Sequence, residues 1–308
     1  MRIRWLISVL VGTAAGVLCW AILARNHQEA GDFRWAVRAA QALLQGQNPY
    51  TTPMQRYPLP AAFFALPFVR LPMELAGGLF FGVSSALLAF GLTRSGYTRL
   101  FIFLAFPYWS SLITAQWTPL IMAGAFFPLL MVTVLAKPQN ALPVAITHLT
   151  KRGVVATFVM LAVSLLWMPV WPRLWAGQTG YYQHFIPLFV FPGPVLLLAL
   201  SRRRDPDTAL LLLAAIMPQR WFYDTFILWL IPKNRREILA TAFLSWAPAV
   251  QRWYHMPANA SEVGRWTVLW IYLPMMFLLL LRLPKGTPAG PLMMGEPFTD
   301  DSATDLRV

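Results

Sequence analysis

A single carboxylate and three arginines share a polar stretch that interrupts an otherwise apolar chain. Asp32 lies in residues 31–60 with Arg34, Arg38 and Arg56, directly after the first apolar segment. An aspartate can act as a general base toward a hydroxyl group. Arginine binds phosphate oxygens through paired N–H groups. This stretch therefore predicts a site for a hydroxyl and a phosphate, and its prolines indicate ordered turns rather than a loose tether.

Arg220 is the first candidate for a phosphate ligand. It lies in the apolar stretch 208–231, which Met217-Pro218 interrupts. A cation inside a membrane segment is costly unless it faces water or an anion, and a broken helix at membrane depth requires a cavity or protein around it. The alternative is a salt bridge with Asp224, because a spacing of four residues permits pairing on a helix.

Asp32 and Lys137 each have a simpler explanation as well. Asp32 could cap the helix predicted at 33–45, since aspartate at a helix start satisfies exposed backbone N–H groups. Lys137 precedes Pro138, which ends an apolar segment, so it is either a topology signal or a polar group in the cavity. Arg34, Arg38, Arg56 and Lys137 join Arg220 as candidate donor-phosphate ligands, with lipid headgroups or solvent as the alternative contacts of the arginines.

Aromatic, amide and histidine side chains concentrate in loops that we expect on one side of the membrane. Aromatic ring faces stack on sugar rings, and amides and guanidinium groups bind sugar hydroxyls. The alternative is an interfacial aromatic belt. The candidate sugar- or acceptor-binding residues are Tyr50, Tyr57, Gln116, Trp117, Tyr182, His184 and Arg252. His184 and His255 lack the spacing of a metal site, so we expect no metal and no other cofactor.

Composition predicts a polytopic membrane protein. Hydrophobic residues make up 57% of the chain and charged residues 12%, a balance that an ordinary soluble domain does not have. The net charge of +13 comes from short Lys and Arg clusters between apolar stretches, which is typical of membrane topology signals and not of nucleic-acid binding. The one cysteine, Cys19, excludes a disulfide framework within the chain.

The pattern of apolar segments predicts an all-α fold with about eight full transmembrane helices and two broken or re-entrant elements, at 139–150 and 208–231. The eight predicted spans cover residues 5–24, 73–92, 100–114, 117–136, 154–171, 185–200, 238–250 and 266–281. Arg2 and Arg4 predict a cytoplasmic N-terminus and an outward-facing first loop, with a cleaved signal peptide as the alternative. We expect one integral domain, residues 1–283, and a disordered cytoplasmic tail, residues 284–308.

Several short motifs resemble glycosyltransferase family 87. The first loop carries three of them in order, an aspartate after the first span, a G-x-x-P-Y element at Gly46 to Tyr50, and a Y-P element at Tyr57-Pro58. Ala115-Gln116-Trp117-Thr118 is similar to the family's G-Q-x-N corner, and Lys137-Pro138-Gln139 matches its K-P-Q. Met217-Pro218 before Trp221 is weakly similar to its S-P-x-x-W.

This resemblance implies a C-type glycosyltransferase fold in a bacterial plasma membrane and transfer of a sugar, mannose in many relatives, from a polyprenyl-phosphate donor to a lipid or glycan acceptor. Asp32 would be the catalytic base of an inverting, metal-independent displacement. The chain has no glycine-rich phosphate loop, which agrees with a lipid-linked donor. The rival hypotheses are a transporter or lipid flippase, although no internal repeat is evident, and an inactive homologue that acts as an accessory subunit.

Overall fold

The computed structural model describes residues 1–51, 57–178 and 184–282, and these residues are helical almost throughout. The α-helices are α1 (Arg2–Arg25), α2 (Arg34–Leu44), α3 (Pro60–Ala65), α4 (Met73–Leu92), α5 (Phe106–Leu112), α6 (Thr118–Ala123), α7 (Pro138–Thr147), α8 (Lys151–Trp167), α9 (Trp171–Ala176), α10 (Pro206–Ile216), α11 (Arg235–Leu244), α12 (Ala247–Tyr254), α13 (Ala260–Thr267) and α14 (Leu273–Leu281). The 3-10 segments of eight or more residues are Tyr97–Leu104, Pro128–Leu135, Gly193–Arg202 and Phe222–Leu230. Within the described ranges, β pairing is limited to one bridge between Phe185 and Gln219.

In the described part of the chain, three helices are long and apolar enough to cross a membrane. They are α1, α4 and the continuous helix Ala260–Leu281, in which a π-helical segment, Val268–Tyr272, joins α13 to α14. Their most apolar windows have mean hydropathies of 2.3, 1.9 and 1.6. A bilayer core needs about 20 apolar residues in a helix, and these three meet that length. The protein is therefore a helical, membrane-associated protein.

The prediction of about eight full spans is wrong in number. The stretches predicted at 100–114, 117–136, 185–200 and 238–250 each divide into short helical segments, and α8 has 17 residues. Prolines cause many of these divisions, because proline lacks an N–H, breaks a helix interior and fits the start of the next segment. Pro107, Pro119 and Pro128 each stand at such a start. In this chain, a long apolar segment indicates that its residues are buried, but it does not show that they form one unbroken helix.

Helices α1 and α4 pack closely side by side in antiparallel directions. Their contact uses two Gly-x-x-x-Gly pairs, Gly12 with Gly16 and Gly78 with Gly82. A Cβ atom on Gly12 would lie 2.7 Å from the carbonyl oxygen of Gly82, and one on Gly78 would lie 2.8 Å from that of Gly16. Small residues at this spacing allow backbones in a membrane to approach each other. The packing fixes the end of α1 from which the first loop, with Asp32, begins.

Basic side chains bind backbone carbonyl groups at the opposite end of these helices. Arg4 donates to the carbonyl oxygen of Phe90, in the last turn of α4, at 2.9 Å. Arg94 donates to the carbonyl oxygen of Phe126 at 2.9 Å. A cation near the C-terminus of a helix is favoured by the helix dipole and by the unpaired carbonyl groups there. Several of the predicted topology signals thus also hold helix ends in place.

Two hairpin-like segments run from the basic side of the fold to the centre and back. The first joins the 3-10 segment Pro128–Leu135 to α7 through Lys137. The second joins α10 to the 3-10 segment Phe222–Leu230 through residues 217–221, where the sequence predicts a broken element. An ion pair between Lys233 and Asp207, at 2.9 Å, ties the two ends of the second hairpin together. The turns of both hairpins face one cavity.

Candidate functional site

A cavity of about 480 Å³ opens where the first loop meets the turns of the two hairpins. Its lining includes three residues from the predicted site that lie far apart in the sequence, Asp32, Lys137 and Arg220. Tyr57, His184 and Asp224 line it as well. A cavity of this size lies within the range of small-molecule sites. The fold therefore brings the predicted base and the first predicted phosphate ligand to one place.

The backbone around Asp32 is fixed on both sides. Gly31 has a φ of +57°, a left-handed conformation that glycine adopts without strain, and the N–H of Asp32 donates to the carbonyl oxygen of Thr114 at 2.8 Å. A Cβ atom at position 31 would lie 2.5 Å from that same oxygen. The side chain of Asp32 does not cap α2, which has no side-chain cap bond. The structure thus decides against the capping role and directs the carboxylate to the cavity.

In the described part of the chain, the Asp32 carboxylate makes two side-chain contacts, and both use the same oxygen. The phenolic O–H of Tyr57 donates a hydrogen bond to Oδ2, and Lys137 Nζ lies 3.6 Å from Oδ2. The side chain retains 16% exposure. Among the described residues, none donates a hydrogen bond to Oδ1 within 3.5 Å. This leaves one carboxylate oxygen available to a ligand in the cavity.

Lys137 is buried beside two carboxylates and an amide oxygen, which compensate its positive charge. Its Nζ donates a hydrogen bond to Gln116 Oε1 at 2.7 Å and lies 3.6 Å from both Asp32 Oδ2 and Asp224 Oδ1. The residue is only 4% exposed. A buried ammonium group is stable only where charges and hydrogen bonds replace water, and these partners supply both. Lys137 therefore links the first loop to the second hairpin.

Asp224 holds the turn of the second hairpin. Its Oδ2 accepts the backbone N–H groups of Arg220, at 2.8 Å, and of Trp221, at 3.4 Å. The amide of Asn140 donates to its other oxygen, Oδ1. Because these donors and Lys137 satisfy the carboxylate, it does not pair with the guanidinium of Arg220. The sequence-based alternative of an Arg220–Asp224 salt bridge is wrong in this structure.

Arg220 is exposed in the cavity lining. Within the described ranges no acidic side chain lies within 4.0 Å of its guanidinium group, since every ion pair there involves another cation. A positive charge that faces a cavity without an acidic partner is a ready site for an anion.

Three of the other predicted arginines, Arg34, Arg38 and Arg252, lie outside the cavity lining. Arg38 pairs with Glu29 at 2.7 Å, and Arg34 lies over the Trp35 ring at 4.8 Å. Arg252 lies over the ring of Trp221 at 5.2 Å, next to the turn that carries Arg220. Two further predicted residues, Arg56 and Tyr182, fall outside the described residues.

Three of the predicted sugar-binding residues do not line the cavity but contact residues that do. Gln116 binds Lys137, and Trp117 is fully buried against the rings of Phe80, at 5.0 Å, and Tyr57, at 5.6 Å. Tyr50 donates to the carbonyl oxygen of Tyr57 at 3.2 Å, and burial raises the pKa of its phenol. By contrast, Tyr57 and His184 line the cavity itself.

The sequence predicts no site role for Asp224, Asn140 or Gln219. Gln219 lines the cavity, pairs with Phe185 through two backbone hydrogen bonds and donates from its side chain to the hydroxyl of Tyr272. The available signal was the presence of polar residues inside apolar stretches, since such residues are buried only when they have partners. Among the described residues, no group of three or more His, Cys, Asp or Glu could hold a metal ion.

Searches against protein-family models, curated proteins and solved structures find no match to this chain. The resemblance to glycosyltransferase family 87 therefore stays a prediction from the motifs alone. The C-type fold that it implies has no support from the solved structures.

Proposed function

We propose that this protein is a membrane glycosyltransferase that moves a sugar from a polyprenyl-phosphate donor to a hydroxyl of a lipid or glycan acceptor. The observation that carries the proposal is that Asp32 and Arg220 line one cavity in a membrane-associated helical protein. A base for the acceptor and a cation for the departing phosphate are the two groups that such a transfer requires. Mannose is the sugar that we expect from the motifs.

Asp32 would act as the general base. In the proposed step, Oδ1 accepts the proton of the acceptor hydroxyl while the hydroxyl oxygen attacks the anomeric carbon of the donor sugar. A new glycosidic bond forms, the bond between the anomeric carbon and the phosphate oxygen breaks, and the anomeric configuration inverts. The hydrogen bond from Tyr57 and the ion pair with Lys137, both on Oδ2, support this role because they orient the carboxylate without using Oδ1.

Arg220 would bind the phosphate of the donor and of the polyprenyl phosphate that leaves. Its guanidinium group can donate two parallel hydrogen bonds to phosphate oxygens, and these strengthen as negative charge develops on the leaving group. The contact with Asp224 supports this role. Asp224 accepts the backbone N–H of Arg220 and fixes the turn, so the side chain of Arg220 remains in the cavity lining.

We further propose that the protein acts at the extracytoplasmic face of a bacterial plasma membrane, with its N-terminus and C-terminus in the cytoplasm. Arg4, Arg94 and Lys233 support this orientation because basic groups at one end of the fold agree with the positive-inside rule. The cavity would then take its acceptor from outside the cell and its donor from the lipid phase.

The proposed function is tested with purified protein in vesicles and a panel of radiolabelled lipid-linked sugars, polyprenyl-phosphate mannose among them. We expect the wild type to label a lipid or glycan acceptor and Asp32→Asn to label none. A parallel assay follows the movement of the same donors across the vesicle bilayer. Movement without transfer would contradict the enzyme and favour the flippase, and neither activity would favour an inactive accessory subunit.

A further inference from the structure

We propose that Lys137 is a positioning residue that holds Asp32 at a fixed place relative to the turn that carries Arg220. This inference rests on the proposed sugar transfer and deepens it. It replaces the expectation that Lys137 binds the donor phosphate.

The contacts of Lys137 support positioning rather than ligand binding. Among the described residues, its polar partners within 4.0 Å are Gln116, Asp32 and Asp224, and these already surround the ammonium group. At 4% exposure the residue has little surface to offer a ligand. Two carboxylates beside the ammonium group would also repel a phosphate that approached it. Arg220, exposed and without an acidic partner in the described part of the chain, has the opposite properties.

The contacts form a continuous chain from the base to the phosphate side of the cavity. Asp32 Oδ2 is 3.6 Å from Lys137 Nζ, and Lys137 Nζ is 3.6 Å from Asp224 Oδ1. Asp224 Oδ2 then accepts the backbone N–H of Arg220 at 2.8 Å. The first loop contributes Asp32, the first hairpin contributes Lys137, and the second hairpin contributes Asp224 and Arg220. The distance between the base and the phosphate ligand is therefore set by Lys137 and not by either segment alone.

A displacement of the base by about 1 Å can reduce a transfer rate about 100-fold, while the donor still binds. Loss of Lys137 should therefore lower kcat and leave the KM for the donor nearly unchanged. A phosphate ligand would behave in the opposite way, because its loss weakens donor binding.

The chain is well suited to a chemical test, because Cys19 is its one cysteine. In a Cys19→Ser background, Lys137→Cys is treated with 2-bromoethylamine, which rebuilds a side chain of lysine's length and charge. The matched control is the same variant treated with iodoethane, which adds a neutral chain of similar length. Mass spectrometry measures the extent of each modification, and the melting temperature shows that each sample is folded.

We expect Lys137→Cys to lower kcat about 100-fold with a donor KM within about threefold of the wild type. Aminoethylation should restore most of the lost kcat, and ethylation should restore none. A raised donor KM with an unchanged kcat would overturn the proposal in favour of a phosphate ligand. Equal rescue by the two reagents would overturn it in favour of simple packing.

A second readout does not depend on sugar transfer. Without Lys137, Asp32 and Asp224 lose the one cation that lies within 4.0 Å of either carboxylate among the described residues, so neither side chain is held by an ion pair. Dicyclohexylcarbodiimide modifies carboxyl groups in membranes. We expect labelling of Asp32 or Asp224 to rise several-fold in Lys137→Cys and to return to the wild-type level after aminoethylation. Unchanged labelling would overturn the positioning role even if the wild type transfers no sugar.

Discussion

The carboxylate of Asp224 binds the backbone N–H of Arg220, at 2.8 Å, and not its guanidinium group. A salt bridge between the two side chains would have neutralised Arg220 and withdrawn it from the cavity. Instead, Asp224 fixes the backbone of the turn at 217–221 and pairs with Lys137, which it shares with Asp32. The positive charge of Arg220 therefore remains available to an anionic ligand.

Replacement of Arg220 tests its role in donor binding. We expect Arg220→Gln to raise the donor KM at least about tenfold, because a charge-assisted hydrogen bond contributes about 1.5–3 kcal/mol. Steady-state transfer at varied donor concentration measures the change. Arg173→Gln serves as the control, since Arg173 is exposed on α9 and lies outside the cavity lining. A donor KM that is equal in the two variants would remove Arg220 from the site.

Substitution of Gly31 tests whether the backbone positions the base. Gly31→Ala adds a left-handed strain of about 1–2 kcal/mol and a Cβ atom 2.5 Å from the carbonyl oxygen of Thr114. Gly46→Ala is a matched control, because Gly46 also has a positive φ, +70°, but no atom of the described residues lies within 4 Å of the added Cβ. We expect the rate of sugar transfer to fall more than about tenfold in Gly31→Ala and to stay unchanged in Gly46→Ala, because only the first substitution displaces the base. Equal losses would show that strain alone, and not displacement of Asp32, matters.

The contact between α1 and α4 predicts a loss of stability for Gly82→Ala. The added Cβ atom would lie 2.8 Å from the carbonyl oxygen of Gly12 and 3.0 Å from the Cα of Gly16, so the two helices must separate. Overpacking of this kind costs about 1–3 kcal/mol. Thermal denaturation in detergent measures the change against Gly177→Ala, whose Cβ would have no neighbour closer than 3.5 Å among the residues that the structure describes. A melting temperature no lower than that of the control would argue against the close packing of α1 on α4.

The proposed orientation predicts which side of the membrane carries the first loop. Gln45 is exposed after α2, and Cys19 is fully buried. A Gln45→Cys variant in a Cys19→Ser background should react with an impermeant thiol reagent added to intact cells. Reaction only after permeabilisation would invert the topology and would place the cavity on the cytoplasmic side.

The sequence predicts Asp32 and Arg220 for one site, and both line the same cavity. Both are charged residues in an apolar setting, where a charge is retained only with a structural or functional partner. The sequence does not reveal the role of Lys137, because its partners Gln116 and Asp224 lie in separate segments and only the fold brings them together. The contact of Asn140 with Asp224 is not predictable from the sequence for the same reason, because the two residues are 84 positions apart.

The helical class follows from composition, but the number of spans does not. A hydropathy window treats residues 117–136 as one apolar segment, whereas the structure begins one helix at Thr118 and a 3-10 segment at Pro128. Short segments of this kind satisfy their backbone groups against neighbouring segments and not as independent spans. The broken element at 208–231 was predictable because Met217-Pro218 interrupts it within the sequence itself.

The central claim is that Asp32 serves as the base while Arg220 binds the donor. The most direct measurement determines the Kd of polyprenyl-phosphate mannose and the rate of its transfer in the same vesicles, for the wild type, Asp32→Asn and the control Glu74→Gln. We predict that all three bind the donor with a Kd within about threefold, a difference of less than 0.7 kcal/mol, and that only Asp32→Asn fails to transfer the sugar. Transfer by Asp32→Asn at the wild-type rate would contradict the account.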